Sequence, residues 1–143
     1  MNISDPIVFV DDDDDDKEFM VEILAELGMT NLFRPFNQGD DLLHYLHTTS
    51  EHPLIILCDI NMPKLSGIDI LRTIYNNPYL KQKSIPFVFF STATSPQQLT
   101  EAYNLGVQGF FLKGDNYQDS SNKIRMILEY WSTCKHPNSY RRS

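Results

Sequence analysis

Short unbroken apolar runs alternate with apolar stripes at helical spacing along almost the whole chain. The run at residues 7–10, IVFV, is bounded by Pro6 and by acid, and predicts a buried strand. From Lys17 the period changes: Phe19, Met20, Ile23, Leu24 and Leu27 form a helical stripe, with Gly28 placed to cap it. Residues 31–36 predict a weaker strand, and a second helix carrying Leu42, Leu43 and Leu46 follows to about Thr48. The run at 54–57, LIIL, predicts a central strand that stops abruptly at Asp59. After Gly67, the residues Ile68, Leu71, Ile74 and Tyr75 predict a third helix, which Asn76, Asn77 and Pro78 end. Residues 87–90, FVFF, form the most hydrophobic strand and run into a hydroxyl cluster of Ser91, Thr92, Thr94 and Ser95. Pro96 suits the first turn of a fourth helix with Leu99, Ala102 and Tyr103 inward, closed by Gly106. Residues 109–112 predict a fifth strand leading to Lys113, Gly114 and Asp115. A last helix over 117–131 then buries Ile124, Ile127, Leu128 and Trp131.

Five strand–helix alternations over about 125 residues predict an α/β domain with a parallel sheet, right-handed crossovers and helices on both faces. The domain spans residues 1–131, and 132–143 read as a short, loosely held C-terminal tail. In an open α/β sheet, the crevice outside the carboxyl ends of the strands collects side chains from several loops. Here those side chains are Asp11 and Asp12, Asp59, Ser91 and Thr92, and Lys113. Three carboxylates in one cleft repel one another unless a cation joins them, and oxygen ligands without Cys or His favour a hard ion such as magnesium. A hydroxyl and an ammonium beside that ion suit phosphoryl transfer, in which an Asp carboxylate is a competent nucleophile that leaves an acyl phosphate.

Composition narrows the field. With 143 residues and 41% hydrophobic content, the chain can build a single core without disulfides or structural metal. A net charge of -7 argues against a nucleic-acid-binding surface. Cys58 and Cys134 lie in no metal-ligand pattern and read as reduced thiols of a cytoplasmic protein, Cys58 as a small core residue. The N-terminus has neither a basic n-region nor a membrane-length apolar run, so no signal peptide or membrane association is expected, and the glycosylation triplet at residues 2–4 reads as chance.

The strand-end constellation, together with D-x-x-M-P-x-x-x-G at Asp59, Met62, Pro63 and Gly67, resembles the response-regulator receiver domain of two-component signalling, of the stand-alone type. The likeness covers residues 7–131 and implies a flavodoxin-like (βα)5 fold with strand order 2-1-3-4-5. It implies that Asp59 accepts phosphate from a phosphohistidine on a sensor histidine kinase or phosphotransfer protein. Asp12, Asp59 and the backbone carbonyl of Asn61 would bind Mg2+, helped by Asp11 directly or through water. Ser91, with Thr92 beside it, looks like the family's phosphoryl-facing hydroxyl, Lys113 like its lysine, and Phe110 like its switch aromatic. Phosphorylation would reorganise the face made by the fourth helix, fifth strand and last helix, which would recruit a downstream protein or form a homodimer. No effector domain follows Trp131, so output is expected through a partner.

Two departures bear on mechanism. Phe110 excludes a switch that uses a phenolic hydroxyl and leaves ring packing. Gly114 stands where a cis proline commonly follows the lysine; glycine predicts a trans Lys113–Gly114 bond, with strain relieved in the backbone of Gly114 and Asp115.

Simpler or rival readings exist for several features. Residues 13–16 of the six-aspartate run read as a solvated charge face. Asp11, Asp13, Asp15 and Glu22 imitate a calcium loop, but the run follows a strand and lacks the loop's glycine. His44 and His47 lie three apart without a third ligand and read as surface residues. An aspartate-nucleophile phosphohydrolase usually has a second acid two residues after the nucleophile, where this chain has Asn61. A phosphorylation-independent interaction domain would tolerate loss of Asp12, Asp59 or Lys113, yet all three are present.

Overall fold

The computed structural model describes residues 5–135. In chain order the elements are β1 (Ile7–Val10), α1 (Asp14–Glu26), β2 (Phe33–Phe36), α2 (Gly39–Thr48), β3 (Ile55–Cys58) and α3 (Gly67–Asn76). They continue as α4 (Pro78–Lys81), β4 (Phe87–Ser91), α5 (Pro96–Asn104), β5 (Gly109–Leu112) and α6 (Tyr117–Thr133). The five strands pair in parallel in the order β2-β1-β3-β4-β5. This is the flavodoxin-like order that the resemblance implies.

Strand alternation sorts the core onto two faces. Val8, Val10, Ile56, Cys58, Phe87 and Phe89 point to one side, where Leu42 and Leu46 of α2, Ile68, Ile70 and Leu71 of α3, Leu80 of α4 and Ala102 of α5 cover them. Ile7, Phe9, Ile55, Leu57, Val88 and Phe90 point to the other, under Met20, Ile23 and Leu24 of α1 and Ile124, Ile127 and Leu128 of α6. Both sides of a central strand are therefore apolar, which is why β1, β3 and β4 read as unbroken hydrophobic runs. Each fully buried Ile or Leu contributes about 1.5–3 kcal/mol relative to exposure. β2 can contain Pro35 because it is an edge strand.

Four expectations are corrected. α1 starts at Asp14 rather than Lys17, because Asp13 caps it by accepting from the Asp15 N–H. After α3 ends, Asn77 caps a short further helix, α4, with Pro78 at its first position. Ala102 takes the sheet-facing position of α5, so Leu99 and Tyr103 are 40% and 55% exposed instead of inward. α6 continues to Thr133, two residues past the predicted boundary at 131. The glycosylation triplet at 2–4 and residues 136–143 of the tail lie outside the described residues. No helix among the described residues is long and apolar enough to cross a membrane.

Candidate functional site

The sheet ladder continues one residue beyond the strands and so sets the level of the site. The Asp11 N–H donates to Phe36 O at 3.0 Å, the Asp59 N–H to Val10 O at 2.9 Å, and the Lys113 N–H to Ser91 O at 2.8 Å. These bonds bring residues distant in sequence to one edge. There, Asp11, Asp12 and Asp59 each offer a carboxylate oxygen within 4.8 Å of the other two. Asp11 and Asp59 are buried and Asp12 is exposed. The calcium-loop alternation is not formed, since Asp13 caps α1 and Asp15 is exposed. The three carboxylates offer oxygen donors only, and they fit a hard divalent cation.

Asp59 is held from one side. Its Oδ1 accepts from the Ser91 hydroxyl at 2.7 Å and from the Asn61 N–H at 3.2 Å, whereas no hydrogen bond of the described residues reaches Oδ2. The Asn61 side chain, which sequence reasoning left out, crosses to the β4 loop and donates to Ser91 Oγ at 3.4 Å and Ala93 O at 3.3 Å. An amide therefore occupies the place where a phosphohydrolase would carry its second acid. Gly67 starts α3 under the site: a Cβ there would lie 2.6 Å from the Phe89 ring and 2.8 Å from Ile60 Cα. Next to it, Ser66 caps α3 and forms a reciprocal capping box with Asp69.

Lys113 sits in an acidic clamp, with its Nζ donating to Asp11 Oδ2 at 2.8 Å and Asp16 Oδ2 at 2.7 Å. Asp16 belongs to the stretch expected to be a solvated face, so that expectation fails for it, whereas Asp13, Asp14 and Asp15 are exposed. Burial pushes the Asp11 carboxyl up to about 6, against the opposing pull of the Lys113 hydrogen bond. Burial also disfavours charge on Lys113, but the bonds from Asp11 and Asp16 outweigh it and hold its pKa above the ordinary lysine value. The ammonium is therefore charged at neutral pH. Cys58 is a fully buried core thiol, pushed up by burial and then by Asp59.

The remaining predicted residues separate. Thr92 is exposed and lines a shallow depression with Phe90, Lys113, Gly114 and Ser120. Phe110 is half-buried, its ring tilted against Phe89 at 5.4 Å, so it touches the core behind the site. The Lys113–Gly114 bond is trans. Strain at Gly114 and Asp115 is not the reason, because neither has a positive φ. Glycine is needed for close approach: its N–H donates to Ser120 Oγ at 2.8 Å, and a Cβ would lie 2.6 Å from the Ser120 N. His47 stacks on Tyr79 at 5.8 Å, away from the carboxylates.

Comparison with known proteins gives a consistent answer. The response regulator receiver domain model matches residues 7–125. Chemotaxis protein CheY of Pseudomonas aeruginosa is 31% identical over 123 residues, covering 86% of this chain and 95% of its own. The crystal structure of the phosphorylated cyanobacterial phytochrome response regulator RcpA has a TM-score of 0.84 at 28% identity, covering 93% of this chain and 98% of that one. The Mn(2+)-bound form of response regulator Rcp1 has a TM-score of 0.83 at 27% identity, covering 93% and 99%. A protein of that name from Synechocystis is also 27% identical over 130 residues, 87% of each chain. With the strand order, the acidic cluster and the family match in agreement, the chain belongs to the response regulator receiver domain family.

Proposed function

We propose that this protein is a single-domain response regulator in which Asp59 is the phosphoacceptor. The observation that carries the reading is the half-free Asp59 carboxylate: Oδ1 is bound by Ser91 and Asn61, which leaves Oδ2 to attack. Asp59 Oδ2 would attack the phosphorus of a phosphohistidine on a sensor histidine kinase or phosphotransfer protein. The P–N bond breaks, its electron pair returns to the imidazole, and an acyl phosphate remains on Asp59. Asp11, Asp12, Asp59 and the Asn61 carbonyl would hold Mg2+, which supplies charge neutralisation at the phosphoryl oxygens. Lys113 presents the matching ammonium, and Ser91 Oγ can turn from Asp59 to the new oxygens. Thr92, exposed at the rim, is assigned no bond to them.

The output surface is read as α5, β5 and α6. Beyond Leu99 and Tyr103, this face exposes Leu112, Met126 and Tyr130. Ser91 of β4 bonds Asp59 and Phe110 of β5 packs on Phe89, so two discrete packings of this region would report phosphorylation to a downstream protein or a second copy of the chain. The protein is read as a cytoplasmic signalling domain that acts only on its own phosphorylation and dephosphorylation. The acidic charge leaves it without affinity for nucleic acid. The test is incubation with phosphorylated kinase, or with acetyl phosphate and Mg2+, followed by intact mass. One phosphoryl group should be added to the parent and none to Asp59→Asn; an adduct on that variant would refute the assignment.

A further inference from the structure

Lys113 is bonded to two carboxylates that lose different amounts when the ammonium leaves. The Asp11 side chain is 1% exposed and the Asp16 side chain 29%. Without Lys113, Asp11 becomes a buried unpaired charge, whereas Asp16 can rehydrate. Asp16 also lies in the first turn of α1, where unpaired N–H groups and the helix dipole favour a negative charge. Of the two partners, Asp16 is the one able to let go.

The local sequence explains why Asp16 is available. It stands three residues after the cap Asp13, the position from which an acid in a capping box reaches back to the cap's own N–H. In α3 this happens, with Asp69 accepting from the Ser66 N–H at 3.1 Å. In α1 the Asp13 N–H is already taken by Asp11 Oδ1 at 2.9 Å. The Asp16 carboxylate is thereby released toward Lys113. Asp14 and Asp15, between them, are exposed, and Asp14 pairs with Lys17 on the surface.

We infer that Asp16 is a positioning residue that holds the Lys113 ammonium between β5 and α1 and yields it to the phosphoryl group formed at Asp59. The inference rests on the phosphoacceptor reading of Asp59. Before phosphorylation the hydrogen bonds of Lys113 go to Asp11 and Asp16. Once a phosphoryl oxygen stands on Asp59, the ammonium keeps Asp11 and exchanges Asp16 for that oxygen. Asp16 thus competes with the phosphoryl group for a single cation and opposes phosphorylation.

The test compares the parent with Asp16→Asn, which keeps shape but removes the competing charge, and with Asp15→Asn, which removes one charge from the exposed neighbour. Nitrogen NMR of the lysine ammonium groups, with Lys113 assigned through Lys113→Arg, reads the contact without any phosphorylation. The Lys113 signal should move in Asp16→Asn and stay in Asp15→Asn. The rate of phosphorylation by acetyl phosphate at saturating Mg2+ should rise about threefold or more in Asp16→Asn, the size expected for releasing an ion pair with a partly exposed partner. Asp16→Glu should return to the parent rate. An unmoved signal would overturn the contact, and a moved signal with an unchanged rate would overturn the exchange. Equal acceleration in Asp15→Asn would reduce the effect to general charge. If the parent is not phosphorylated at all, the phosphoacceptor reading fails and takes the exchange with it, while the NMR result still decides whether Asp16 holds Lys113.

Discussion

The Ser91 hydroxyl donates to Asp59 Oδ1 at 2.7 Å, joining the tip of β4 to the tip of β3 inside the sheet edge. Both side chains are buried, so the bond has no water to replace it. It also occupies the hydroxyl that the activated state would need. On the proposed phosphoacceptor reading, phosphorylation at Asp59 would act on the loop after β4 through this bond.

Ser91→Ala removes the donor and leaves a buried carboxylate oxygen with only the Asn61 N–H. A loss of about 1–3 kcal/mol in stability is expected by urea denaturation. Phosphorylation of Asp59 should survive, because Asp59 Oδ2 is untouched, but the response of α5, β5 and α6 to beryllofluoride should be lost in hydrogen exchange. A full response in Ser91→Ala would remove the hydroxyl from the switch.

Divalent ion binding should depend on Asp12 and Asp59 together. Removing one of three converging carboxylates forfeits local electrostatic attraction, and Asp12→Ala is expected to bind Mg2+ about tenfold more weakly, equivalent to about 1.4 kcal/mol. Calorimetric titration measures this. Equal affinity in the variant would place the ion elsewhere.

Asp11 gives a pH dependence with a definite sign. Its folded pKa of about 6 lies above the ordinary carboxylate value of 3.8, so the native state binds this proton more tightly than the unfolded chain. Its contribution to the stability of the metal-free protein is present at low pH and is lost as pH rises through about 6. Mg2+ affinity moves the other way, because a ligand must be deprotonated, and should fall as pH drops below about 6. Denaturation curves between about pH 4 and pH 6 should show a shallower pH slope in Asp11→Asn. Identical slopes would show that another group titrates there.

Gly114→Pro, which would introduce the residue common in the family, is expected to destabilise this protein. Proline removes the N–H that donates to Ser120 Oγ at 2.8 Å, and its Cβ would press on Ser120 and Asp119. The expected cost is about 2–4 kcal/mol, combining overpacking with the lost hydrogen bond. An unchanged urea midpoint would mean that the start of α6 moves aside at little cost.

Much of this architecture was legible in the chain because it depends on local spacing. Strands β1, β3 and β4 are buried on both faces and read as unbroken apolar runs. Asp11, Asp12, Asp59, Ser91 and Lys113 could be placed at the site because each ends a strand or follows one within two residues, and a parallel sheet puts all strand ends on one edge. The α5 stripe misled because apolar spacing marks a face without saying whether anything covers it, and at Leu99 and Tyr103 nothing among the described residues buries it.

Only tertiary structure decided which groups touch. Asp16 and Lys113 lie 97 residues apart, and Asn61 and Ser91 lie 30 apart. No periodicity encodes such pairs. Asp16 had one faint local signal, its place three residues after a capping aspartate, but whether it would close the cap or leave it depended on Asp11 taking the Asp13 N–H first. The same holds for Gly114, whose role comes from the approach of α6 rather than from its own φ. Hydrophobic spacing determines elements because burial is set by the geometry of one helix or strand; a hydrogen bond between side chains is set by where two elements have been carried by the fold.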